Sequence, residues 1–139
     1  MVEAKVKWAG GLRFDGTSAF GSPISIDSVK NDNGDEQGYK PTELVMFGLA
    51  GCTGVDVVNI LGKMRQKLTG LEVEVKASQP DEYPKPFNKI DVKFIFRGEN
   101  LDRAKIEKAI SLSEEKYCAV SLTLKGVAAV KTSYEIIEE

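Results

Sequence analysis

Two cysteines, Cys52 and Cys118, stand in a sequence that has no histidine. Without histidine there is no Ser-His-Asp or Cys-His arrangement and no imidazole metal ligand, so proton chemistry falls to carboxylates, Lys, Arg, Tyr or the thiols. The thiols are the reaction centre that these residue types single out. They are separated by 65 intervening residues with no CxxC pair, too few for a typical structural zinc site, and no metal is expected. A dithiol/disulfide cycle is open to them if folding brings their Cα atoms within about 7 Å.

Each cysteine also has a bland reading as a small buried hydrophobe. A reactive Cys52 needs thiolate character, and burial alone works against it. Asp56 lies four residues on, about one helical turn away, and has the wrong sign to help. Arg13, in the run Gly-Gly-Leu-Arg-Phe-Asp-Gly, is a candidate cation. Glu43 precedes Cys52 by nine positions, about 900° of helical rotation, which puts the two on opposite sides of a straight helix. Glu43 therefore reads as a helix-start charge. Tyr117, beside Cys118, reads as a core filler.

The elements that would position these groups form a mixed pattern. Val2, Ala4, Val6 and Trp8 alternate with charged residues as a half-buried strand ended by Gly10-Gly11. Short strands are expected at 12–14 and 24–26, with turns at Asp15-Gly16 and Gly21-Ser22-Pro23. Residues 30–38 hold many turn formers and no apolar residue and read as an exposed loop. Pro41-Thr42-Glu43 then suits a helix start. The run from Leu44 to Cys52 has no polar side chain, and the helix is expected to continue to about Leu68. Apolar all round, it should be buried all round. Its glycines, Gly48, Gly51, Gly54 and Gly62, suggest close approach by another backbone.

Two alternating segments at 71–77 and 90–96 read as antiparallel strands. Residues 102–117 form an amphipathic helix with Ile106, Ala109, Ile110, Ser113 and Tyr117 on its inner face, and 127–137 form a closing strand. The order predicts an α+β fold in one domain: strands over 1–28, a loop over 29–40, the cysteine helix over 41–68, strands over 71–97, and a second helix and closing strand over 101–139.

Bulk composition sets the outer limits. The 139 residues are 42% hydrophobic and 29% charged with a net charge of -2, which is ordinary globular composition. No concentrated positive face exists for nucleic acid. The N-terminus has no continuous apolar core of a signal peptide, and no uninterrupted apolar run of about 18 residues suggests a membrane span. A reducing cytoplasm is the expected location.

The motif Pro-Thr-Glu-Leu-Val-Met-Phe-Gly-Leu-Ala-Gly-Cys at 41–52, followed by Glu-Glu-Lys-Tyr-Cys at 114–118, resembles the OsmC/Ohr family of osmotically inducible and organic-hydroperoxide-resistance proteins. Cys52-Thr-Gly-Val-Asp-Val-Val and Leu112-Ser-Glu-Glu-Lys-Tyr-Cys118 are similar to its YhfA-like branch. The resemblance implies antiparallel sheets wrapped around long central helices in an intertwined homodimer. It implies an antioxidant stress-response peroxidase, with Cys52 the peroxidatic cysteine and Cys118 the resolving one, passing through a sulfenic acid and a disulfide. The substrate would be an organic hydroperoxide and the reductant an external lipoyl-type dithiol. An arginine and a glutamate flank the thiol in the family. Arg13 is their nearest arginine here, while the family glutamate position aligns with Thr42 and Glu43 falls one place later. Two alternatives stand beside this reading: a non-catalytic dimeric protein binding an apolar or acidic small molecule, and a redox-sensing protein.

Overall fold

The computed structural model describes residues 1–28 and 38–139. Apart from Gly38, the loop expected at 30–38 lies outside the described residues. Two compact units result, Met1–Val45 and Met46–Glu139.

The first unit is a three-stranded antiparallel sheet of β1 (Val6–Trp8), β2 (Arg13–Thr17) and β3 (Pro23–Asp27) in that order. Asp15-Gly16 is not a turn, as the sequence suggested. Both residues lie inside β2, opposite Ser25 and Ile24. The chain reverses at residues 18–22, overlapping the expected Gly21-Ser22-Pro23 turn, where Gly21 takes a φ of 88° and the Ser18 and Ser22 backbones are bonded. Gly16 is small for a packing reason: a Cβ there would stand 2.9 Å from the Lys5 carbonyl oxygen.

Helix α1 (Pro41–Lys63) begins as its sequence predicts. Proline takes the first position, and Glu43 Oε1 accepts a hydrogen bond from the Lys40 amide at 3.1 Å, closing one open N–H of the first turn. The helix ends at Lys63, earlier than the expected Leu68. Arg65 turns into the left-handed region at φ 59°, and the Gln66 amide reaches back to the Leu61 carbonyl. That reversal frees Leu68 to start a strand.

The second unit is built on a sheet of β4 (Leu68–Ser78), β5 (Lys89–Gly98) and β6 (Ala129–Glu138), with β5 in the middle. β4 and β5 pair antiparallel, as expected, with Val73 opposite Phe94. β6 runs parallel to β5, with Phe94 opposite Tyr134, so the all-antiparallel expectation is corrected. Between them lie α2 (Arg103–Leu112), one π-helical turn (Ser113–Tyr117) and α3 (Ala119–Leu124). A crossover of that length carries the chain back to the starting end of β5, which a short hairpin cannot do. Asp102 caps α2 by accepting from the Ala104 and Lys105 amides.

Period-two alternation aims Ile90, Val92, Phe94 and Phe96 of β5 into the core, where Ile106, Ala109 and Ile110 of α2 meet them. The stripe Leu49, Thr53, Val57 and Leu61 of α1 is buried on the same core. By length and composition α1 could cross a membrane, but one of its faces belongs to this core. The other face is not buried: Val55 is 70% and Val58 50% exposed. The expectation of burial all round therefore fails within one chain. Nor, among the described residues, does another backbone approach Gly48, Gly51 or Gly62; a Cβ at each would meet nothing there within 4 Å.

Candidate active site

Cys52 lies one position before Thr53 of the buried α1 stripe, so its side chain is half-buried at the margin of the core. Asp56 follows one turn later and is also half-buried. Cys118 comes from the far end of the α2 crossover and is fully buried.

The π-helical turn determines which residue points inward. In an unbroken α-helix, Ile106, Ile110, Ser113 and Tyr117 would share the inner face. The Cys118 amide instead bonds the Ser113 carbonyl, five residues back, at 2.8 Å. The wider turn takes up one extra residue. Cys118 assumes the inner position, and Tyr117 swings out to 52% exposure, with Lys116 Nζ 5.2 Å from its ring centroid. The expectation of a core-filling Tyr117 is thereby corrected.

The Cys52 and Cys118 sulfurs and an Asp56 carboxylate oxygen all lie within 4.8 Å of one another. No disulfide joins the two thiols. Burial, followed by its hydrogen bond to Cys52, pushes the Cys118 thiol up to about 11, against a lowering contribution from the Ser121 amide. That amide donates to Cys118 Sγ at 3.3 Å. At neutral pH Cys118 keeps its proton.

A polar chain stands behind the triad. Ser113 Oγ donates to Asp56 Oδ2 at 2.9 Å. Its single proton is thereby committed, so at 2.8 Å the Thr53 hydroxyl must donate to Ser113. Thr53 and Ser113 are both buried. Neither was singled out for the site from the sequence. The available signal was a polar residue on each of two otherwise apolar helical stripes. Asp56 also lines a cavity of about 350 Å³ with Asn59, Ile60, Lys63, Met64, Leu112 and Tyr117.

The structure thus brings together Cys52, Cys118 and Asp56, which are also the one set of three metal-donating side chains that converge among the described residues. Arg13 and Glu43 belong to the first unit and are engaged there. Arg13 Nε pairs with Asp15 Oδ1 at 2.9 Å, and its Nη2 reaches Ser25 Oγ at 3.3 Å. Asp15 is held below its ordinary value by these Arg13 and Ser25 hydrogen bonds. Glu43 caps α1.

Comparison with known proteins gives a consistent result. The OsmC-like protein family model matches residues 34–133. Protein YhfA of Escherichia coli K12 is 38% identical over 136 residues, 98% of each chain. A hypothetical protein from Aquifex aeolicus VF5 superposes with a TM-score of 0.88 at 28% identity, covering 100% of this chain and 98% of that one. The organic hydroperoxide resistance protein OhrB of Bacillus subtilis superposes with a TM-score of 0.63 at 25% identity, over 96% of this chain and 98% of its own. With the two cysteines converging on a fold shared with these proteins, the chain belongs to the OsmC-like family.

Proposed function

We propose that this protein is a thiol-dependent peroxidase that reduces organic hydroperoxides through Cys52 and Cys118. The observation that carries the reading is the approach of the two sulfurs within 4.8 Å, with Cys52 half-buried and Cys118 fully buried. A peroxide arriving from solvent meets Cys52 first. The Cys52 thiolate attacks one peroxide oxygen, the O–O bond breaks, and the alkoxide leaves as an alcohol after taking up a proton. Cys52 is left as a sulfenic acid. The Cys118 sulfur then attacks the Cys52 sulfur, forming the disulfide and releasing water. An external dithiol reduces that disulfide by exchange and leaves as its own disulfide.

The family's peroxide-resistance members, OhrB among them, support the organic substrate class. The lipoyl-type reductant and the catalytic roles of Arg13 and Glu43 come from the same resemblance, and Arg13→Ala and Glu43→Gln test those two roles by rate. A reducing cytoplasm is part of the reading because two lone cysteines do not make a secreted disulfide framework. The reading includes a homodimer, supported by the uncovered apolar face of α1 at Val55 and Val58. The decisive experiment supplies tert-butyl or cumene hydroperoxide with a dithiol and follows peroxide loss. Wild type should turn over; if it consumes no more than Cys52→Ser, the proposal fails.

The cavity beside Asp56, lined by both apolar and polar residues, favours one second reading, a non-catalytic small-molecule binder. Native mass spectrometry of gently purified protein would reveal a retained ligand, and a ligand-free spectrum from repeated preparations would reject that reading.

A further inference from the structure

We propose that Cys52, Cys118 and Asp56 form a zinc site in the reduced protein, with the two sulfurs and one Asp56 carboxylate oxygen as ligands and a fourth position left open. Three features of the geometry point there.

The first is convergence. A tetrahedral zinc with bonds of about 2.3 Å to sulfur and 2.0–2.2 Å to oxygen needs its donors roughly 3.4–3.8 Å apart. The three donor atoms already lie within 4.8 Å, so small side-chain rotations close the set. The second is donor type. Two thiolates and one carboxylate are too soft for magnesium or calcium, which take oxygen ligands, and too few for an iron–sulfur cluster, which takes four cysteines. Three protein ligands and one open position is an arrangement zinc adopts readily.

The third feature is support behind the ligands. Ser113 Oγ holds Asp56 Oδ2 at 2.9 Å, and Thr53 holds Ser113 in turn. Two buried hydroxyls thus orient a carboxylate that faces two sulfurs, as outer-shell partners orient metal ligands. One of the three ligands, Asp56, lines an open cavity of about 350 Å³. On binding, each thiol releases its proton to solvent and each sulfur gives an electron pair to the metal. Nothing is oxidised or reduced. A disulfide uses the same sulfurs, so zinc occupancy and disulfide formation exclude each other, and zinc would hold the pair inert towards peroxide.

The test needs no peroxide, so its result is separate from that of the peroxidase proposal. Reduced, chelator-stripped full-length protein is titrated with Co²⁺, and zinc then displaces the cobalt in competition with a chromophoric chelator. One equivalent per chain is expected, with thiolate-to-cobalt charge-transfer absorption and tetrahedral d–d bands. The disulfide form should bind none. Asp56→Asn keeps a carbonyl oxygen to accept from Ser113, so it should melt like wild type and yet bind at least about tenfold more weakly; Ser113→Ala should lose about 10- to 100-fold. If Cys118→Ser does not fold, Cys52→Ser and Asp56→Asn carry the test alone. Absence of the charge-transfer band, or a folded Asp56→Asn that binds as tightly as wild type, overturns the proposal.

Discussion

Ser113 Oγ donates a 2.9 Å hydrogen bond to Asp56 Oδ2, across 57 residues of sequence. That bond ties the π-helical turn before Cys118 to the helical turn after Cys52. It couples the placement of the two sulfurs to the same polar chain, which Thr53 completes at 2.8 Å. Buried hydroxyls are costly when unpaired, so the chain has one satisfied arrangement.

Removing the middle of that chain should show its value. Ser113→Ala leaves the Thr53 hydroxyl and one Asp56 oxygen without their partner in a buried setting. A loss of about 1–3 kcal/mol in urea denaturation is expected. A loss within experimental error would mean that water replaces the serine.

Alkaline pH should weaken the fold through Cys118. Its folded value of about 11 lies above the ordinary 9.0, so folding favours the protonated thiol. The contribution is fully present below about 9 and is lost as pH rises through about 11. Its size is on the order of 2 kcal/mol. Denaturation of wild type and Cys118→Ala across that window should show the wild-type advantage shrinking; a constant difference would refute the assignment.

Intermediates should separate the two thiols. After one addition of hydroperoxide, Cys118→Ser should accumulate a Cys52 sulfenic acid trappable by a carbon nucleophile, whereas wild type should yield the disulfide. Mass spectrometry distinguishes them. A sulfenic acid trapped on Cys118 in Cys52→Ser at comparable yield would reverse the roles.

The open face of α1 should govern assembly. Val58, half exposed on the single chain, borders a broad surface cavity with Gly51, Val55, Leu71 and Val73. Wild type should sediment as the proposed dimer, and Val58→Glu, which places a charge on this face, as a monomer; a monomeric wild type would reject the dimer. An unchanged dimer would place the interface elsewhere.

Core packing offers a measure of stability that involves no reactive group. Phe94 is fully buried and stacks on Phe96 with ring centroids 5.9 Å apart. Phe94→Ala should cost about 3–5 kcal/mol, measured by the same urea denaturation.

The sequence by itself determined the elements whose signals are local. Alternation marked β4 and β5, proline and glutamate marked the start of α1, and Asp102 marked the start of α2. The absence of histidine left two thiols as the chemistry, and two short motifs identified the family resemblance. Tertiary structure decided what depends on distant partners. The helix that carries the crossover to β6 was legible, but the parallel direction of β6 was not, because pairing with β5 sets it. The end of α1 follows from Arg65, a residue type with no special preference for its left-handed turn. The convergence of Cys118 on Cys52 depends on one π-helical turn, because a single added residue rotates a helix by about 100° and exchanges the inward residue. Thr53 and Ser113 looked like minor faults in apolar stripes. They became a bonded pair only when the fold set those stripes face to face, since a hydrogen bond between residues 60 positions apart has no counterpart in local sequence.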